Sequence, residues 1–251
     1  MKALILKLIQ KLFLKTPPIK IPKEFMNDFS MDWRIDIKDM YINEIKPNFL
    51  PRIYTNNDLR NNFKRIKNKQ WWNYIETDFL IYDALEKYTI KDKSIAIMGS
   101  QTPWYESIWL YYWWCPTTIE YGKIISFIKW LRTIKYLDFK KKPIVFDMAF
   151  SISSFEHDWL WRYWDPINPN WDFEAMREMK KIVKKWWLLF LAIPIWKDCV
   201  VWNAHRVYGK IRLPLLLKGW EIIDTYWFSQ NMLDVENIQS KYQPLFILRN
   251  T

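Results

Sequence analysis

Two short stretches hold both histidines of this sequence and gather the side chains that suit proton transfer. Ser151–Ile152–Ser153–Ser154–Phe155–Glu156–His157–Asp158 sets a carboxylate on either side of a histidine, directly after an apolar run. Trp202–Asn203–Ala204–His205–Arg206 carries the other of the two histidines and follows an apolar run ending at Pro194. An imidazole titrates near neutral pH, which makes His157 a candidate general base. Glu156, Asp158, His205 and Arg206 are the further catalytic candidates. The alternative is that the two histidines only tie loops together by hydrogen bonds. Their spacing matches no H-x-x-x-H or other ligand pattern, and the serines lack the glycines of a nucleophile elbow. Neither a metal site nor a hydrolase is expected.

A second kind of chemistry lies upstream. Ser94–Met98 reads as a short strand followed at once by Gly99–Ser100–Gln101–Thr102–Pro103. Thr102 suits an N-cap and Pro103 a first helical residue, which predicts a helix to about Tyr112. The amides of Gly99, Ser100, Gln101 and Thr102 at such a helix start could accept a carboxylate or phosphate. Thr117–Ile119 reads as a second strand closing on Glu120, an acid placed to hold the hydroxyls of a ribose. Strand, turn and capped helix also occur with no ligand; their order and spacing here favour a nucleoside-type cofactor.

Further elements must position these residues. Ile124–Ile134 is a helix candidate and Val145–Ser153 a buried strand. Asp172–Lys185 is predicted as an amphipathic helix, with Phe173, Met176, Met179 and Ile182 in one stripe, acids early and lysines late. Leu188–Ile193 is a strand apolar on both faces, and Glu221–Tyr226 and Leu245–Leu248 supply two more. Strands alternating with helices predict an α/β fold with a Rossmann-like, doubly wound sheet. The chain divides into a basic amphipathic helix at residues 1–18, a helical or irregular extension at 19–93, and the α/β domain at 94–251.

With 251 residues, half of them apolar, the chain can bury a large core. Two cysteines, Cys115 and Cys199, make no disulfide scaffold and fit a reducing, cytoplasmic compartment. The net charge of +11 comes from scattered lysines, and no basic cluster is interleaved with aromatics, so nucleic acid is not an expected partner. Residues 1–15 present leucines and isoleucines on one face and Lys7, Lys11 and Lys15 on the other. That face either meets an anionic membrane surface or packs on the domain. Oligomeric state is not legible.

Gly99–Glu106 (GSQTPWYE), Phe146–Asp158 (FDMAFSISSFEHD) and Val200–Tyr226 closely resemble the family called domain of unknown function 268, which is related to class I S-adenosylmethionine-dependent methyltransferases. The likeness covers about Ser94 to Phe228. It implies a mostly parallel sheet of the class I methyltransferase type with an antiparallel last strand. It further implies S-adenosylmethionine as cofactor, a small-molecule or sugar-containing substrate, and a non-catalytic protein on the same fold as the alternative. By that resemblance Gly99–Ser100 stands in the cofactor loop, Glu120 takes the ribose and Asp147 matches the acid of the fourth strand. His157 or Asp158 is the implied base. The cofactor loop departs from the pattern, since Gly99 is its single glycine.

The same comparison bears on an odd composition: 18 Trp and only 4 Gly. Trp109, Trp113, Trp114, Trp159, Trp161, Trp164, Trp171, Trp186, Trp187, Trp196 and Trp227 stand where the family is expected to carry glycine. Trp104, Trp202 and Trp220 stand where tryptophan is expected. The pattern is that of a source that reads UGA as glycine, translated as though UGA were tryptophan. Genuine divergence of the chain is the alternative.

Overall fold

The computed structural model describes residues 17–42, 51–72, 74–88, 92–112, 115–163 and 165–251. The basic helix expected over residues 1–15, and Trp113, Trp114 and Trp164, lie outside the described residues. The chain runs through α1 (Met26–Ser30), β1 (Asp36–Asp39), β2 (Arg52–Tyr54), α2 (Asn56–Lys67) and α3 (Ile75–Lys87). It continues with β3 (Ile95–Met98), α4 (Trp104–Tyr111), β4 (Thr117–Glu120), β5 (Ile124–Ser126), β6 (Arg132–Lys135), α5 (Tyr136–Lys141) and β7 (Phe146–Ile152). The remainder is α6 (Trp171–Ile182), β8 (Val183–Ala192), β9 (Cys199–Trp202), β10 (His205–Val207), α7 (Arg212–Leu216), β11 (Trp220–Tyr226) and β12 (Leu245–Asn250).

Seven strands form one sheet in the order β11-β12-β8-β7-β3-β4-β6. From β6 to β8 every neighbour is parallel. β12 runs antiparallel to both β8 and β11. This is the doubly wound, Rossmann-like sheet of the class I methyltransferase type, with the last strand of the chain reversed. Strands buried on both faces explain the unbroken apolar runs. Successive residues of β3 alternate between two cores: Ala96 and Met98 pack with Met176 and Met179 of α6, Ile95 and Ile97 with Ile108 of α4 and Tyr82 of α3. In α6, Met176, Met179 and Ile182 are buried, Asp172 and Glu174 lie in the first turn, and Lys180 and Lys181 in the last.

Two elements differ from the sequence reading. Residues 124–134 form β5, a turn and β6 instead of a helix. The β-branched Ile124, Ile125, Thr133 and Ile134 suit a pleated surface, and both strands find partners, β5 on β2 and β6 on β4. The helix expected to reach Lys185 stops at Ile182, and β8 begins at once. Phe146 pairs with Val183 and Met148 with Leu188, so Lys184–Trp187 bulges out of the ladder. The N-terminal segment is tied to the rest by strand pairing, β1 parallel to β9 and β2 parallel to β5.

Candidate functional site

β3 and β7 are neighbours, but the chain leaves them toward opposite halves of the sheet, β3 to β4 and β7 to β8. Their carboxyl ends mark the switch point at which an open α/β sheet can take a ligand. Gly99 follows β3 with φ +71°, and a β-carbon there would collide with the Ser154 hydroxyl, which follows β7. Conformation and space both call for glycine at this position. The helix that follows starts at Trp104, with Pro103 rather than Thr102 in the capping position and no side-chain cap.

Glu120 stands at the end of β4 beside this loop. Its Oε2 accepts the Ser100 N–H at 2.7 Å and lies 2.9 Å from Arg52 Nη1. Its Oε1 accepts the amides of Tyr121 at 2.8 Å and Gly122 at 3.3 Å. Arg52 Nη1 also donates to the Ser100 carbonyl at 2.9 Å, and the Tyr54 hydroxyl donates to the same oxygen at 3.0 Å. Pairing of β2 with β5 holds both side chains there. A ribose at Glu120 has to compete with Arg52 and three backbone amides. Sequence reasoning missed Arg52 and Tyr54, because no local pattern links them to a loop more than forty residues on.

The expected acid–base cluster divides in two. Ser153, at φ +50°, donates its hydroxyl to Glu156 Oε1 at 2.7 Å, lies 3.4 Å from His157 Nε2 and accepts from Gln243 Nε2 at 2.8 Å. Glu156 is fully buried, and burial pushes its carboxyl above the usual range. His157 Nδ1 lies 2.8 Å from the Ala204 carbonyl and 3.0 Å from Arg162 Nη1. Glu156 and His157 therefore point inward. Asp158 is only partly buried. Loss of water around it, with the charges of Asp165 and Glu120, pushes its carboxyl well above the usual range.

The β9–β10 hairpin brings Ala204 and His205 to the same place, and the two imidazole rings are 5.9 Å apart. His205 Nε2 lies 2.8 Å from the Ile238 carbonyl. Burial, reinforced by His157, depresses its pKa to about 4. Arg206 is fully buried: Nη1 donates to the Asp158 carbonyl at 2.8 Å and Nη2 to the Asn168 carbonyl at 2.8 Å. It carries the loop after β7 and reaches no open space, so its part at the site is structural. Asp147 is not at the site. It begins β7, about 20 Å of strand away from Ser153, where it accepts from the Ser94 amide and from Lys184 at 2.8 Å each. Gln243 was missed, since nothing near it in the sequence marks it.

Between the ends of β4 and β7 stands Trp159. Its indole stacks on Trp171 at 4.1 Å and donates to the Tyr121 hydroxyl at 3.1 Å, and Tyr121 lies 4.5 Å from Tyr136. With four donors already on Glu120, the residues present do not fit a ribose there.

The profile of the family described as "Caenorhabditis protein of unknown function, DUF268" matches residues 92–249, a span that takes in all seven strands of the sheet. The chain belongs to this family. No curated protein matches it. TehB from Haemophilus influenzae is similar in structure, with 12% identity and a TM-score of 0.45 over 68% of this chain and 61% of TehB. The DUF268 chain thus spans less than two thirds of TehB. The N-methyltransferase NodS from Bradyrhizobium japonicum, with S-adenosyl-L-homocysteine, is similar at 10% identity and a TM-score of 0.41, over 76% of this chain and 98% of NodS. Coclaurine N-methyltransferase is similar at 12% identity and a TM-score of 0.41, over 90% and 77%.

The backbone of this DUF268 chain sorts its tryptophans. Among the described residues ten non-glycine positions have positive φ, and five of the ten are tryptophan: Trp33, Trp159, Trp161, Trp186 and Trp227. Such a conformation crowds any β-carbon against the following carbonyl and costs about 1–2 kcal/mol per residue. Trp104, Trp202 and Trp220 are absent from that group and are buried in the core. Trp109, Trp171, Trp187 and Trp196 are absent from it too, so the backbone asks for no glycine at those four positions.

Proposed function

We propose that this chain is a methyltransferase-like enzyme that binds S-adenosylmethionine at the switch point and acts on a small molecule, and that its source inserts glycine at Trp159, Trp161, Trp186 and Trp227 by reading UGA as glycine. The observation that carries the reading is Trp159, whose positive φ suits glycine and whose indole stacks on Trp171 and donates to Tyr121, the chain neighbour of Glu120. Glycine at 159 removes that indole and leaves Glu120, Tyr121, Tyr136 and Asp158 around an open slot. The loop amides of Gln101 and Thr102 would hold the cofactor's charged end and Glu120 its ribose, the Ser100 amide already being given to Glu120. Bound there, the cofactor supplies an electrophilic methyl group. Asp158, which follows the loop after β7 and is only partly buried, is the candidate acceptor of the substrate's proton in its ionised form. Ser153, Glu156 and His157 brace the loop that carries it.

Two measurements test this. In the gene, UGA at positions 159, 161, 186 and 227 with UGG at 104 and 202 supports the reading, and UGG at 159 and 186 sinks it. Titration calorimetry with S-adenosylhomocysteine should give heat for the chain carrying glycine at the four positions and none for the chain carrying tryptophan. No heat from either at millimolar ligand removes the cofactor. A non-catalytic role on the same fold is the second reading, and the four donors already on Glu120 favour it.

A further inference from the structure

A concavity lies between the Gln101–Pro103 loop and α2. It has a volume of about 670 Å³ and is lined by Arg52, Asp58, Lys64, Arg65, Trp72 and Gln101, among others. That is the size of a site for a small organic molecule. Its charge is one-sided: three cations face one carboxylate among the described lining residues. The carboxylate is already engaged, since Asp58 Oδ2 accepts the amide and hydroxyl of Thr55 in the capping box that starts α2. Arg52 is bound to Glu120. Lys64 and Arg65 pair with no carboxylate among the described residues. Asp58, Asn61 and Arg65 recur along one stripe of α2, which is why they face the same space. The Arg65 guanidinium lies 4.8 Å from the centre of the Trp72 ring, which orients its N–H fork and leaves the indole 38% exposed.

We infer that this concavity binds the phosphate group of a sugar phosphate, with Lys64 and Arg65 on the phosphate and Trp72 beside the sugar. An arginine fork matches a phosphate by two parallel hydrogen bonds, and the neighbouring lysine adds a second charge. The amides of Asn61, Gln70 and Gln101 supply partners for sugar hydroxyls. Arg52 lines this concavity and also touches Glu120, so the two spaces share a wall. The inference names the substrate class and in that respect rests on the proposed methyl transfer, while the binding event stands without it.

The test is calorimetric titration of the full chain with glucose 1-phosphate, inorganic phosphate, glucose and adenosine monophosphate. The sugar phosphate should bind, inorganic phosphate more weakly and glucose not at all. The double substitution Lys64→Gln/Arg65→Gln should weaken glucose 1-phosphate by about tenfold or more, as expected from the loss of two charged hydrogen bonds. Circular dichroism should match the parent, because Lys64 is exposed and Arg65 only partly buried. Equal affinity in parent and variant, or no binding of the sugar phosphate, overturns the site. Adenosine monophosphate binding as well as or better than glucose 1-phosphate overturns the sugar assignment. S-adenosylhomocysteine titrated into the same variant keeps the two proposals apart: unchanged cofactor heat with lost phosphate binding supports two sites, and phosphate binding without cofactor binding removes the methyltransferase reading alone.

Discussion

Glu106 offers a quantitative check on how the loop after β3 is supported. It lies in α4 with no exposed surface; its Oε1 accepts the Thr118 hydroxyl at 2.8 Å, and its Oε2 has no hydrogen-bond partner among the described residues. Burial raises its pKa from 4.5 to about 7, the nearby hydroxyls of Ser100 and Thr118 oppose the rise, and the like charge of Glu120 adds to it. The fold therefore prefers the protonated carboxyl. Its contribution to stability is fully present below pH 4.5 and is lost as pH rises through about 7. A displacement of that size corresponds to roughly 3 kcal/mol between the two limits. Glu106→Gln keeps the shape and an acceptor for Thr118 but cannot ionise. Urea melts of parent and variant at pH 5 and pH 8 isolate Glu106, because every other titrating group is common to both. The variant should gain on the parent by roughly 2–3 kcal/mol between the two pH values. A difference that stays constant from pH 5 to pH 8 would refute the account of a buried, destabilised carboxylate.

Three further outcomes follow from the packing. Arg212 Nη2 meets the two oxygens of Asp172 at 2.8 and 2.7 Å with both side chains fully buried, so Arg212→Met leaves the buried Asp172 with only the more distant Arg206, at 3.7 Å, as counter-charge and should cost about 3 kcal/mol in a urea melt. Gly99→Ala should destabilise by about 1–3 kcal/mol through its positive φ and its collision with Ser154. Adding Ser154→Gly should recover part of that loss, and strict additivity of the two changes would count against the clash. Cys199 is buried with its thiol pushed up to about 12, whereas Cys115 is exposed. A disulfide exchange reagent should therefore titrate one fast thiol in the native chain and two after denaturation.

Local order in the sequence was enough for the frame. Apolar runs of four to eight residues, the stripe of α6 and the turn at Gly99 are each set by neighbours within a few positions, and such signals survive without a partner. They placed Glu120 and Ser153 at strand ends and both histidines close together. The same locality failed over residues 124–134, where sheet partners decided the conformation, and at Lys184–Trp187, where a strand bulge replaced the expected end of the helix. It could not say that Glu156 and His157 point inward while Asp158 stays partly exposed, since three adjacent residues share one sequence context and differ only in what surrounds them. Nor could it separate Arg206, spent on the carbonyls of Asp158 and Asn168, from an arginine available to a ligand. Arg52, Tyr54 and Gln243 reach the site through strand pairing and chain return across distances that no spacing rule spans. The sequence by itself determined the strand–helix alternation and the glycine at position 99, because periodicity and backbone conformation are local. Which charges meet, which are buried and which stay open was decided only in the folded chain, because burial and pairing depend on residues far apart in sequence.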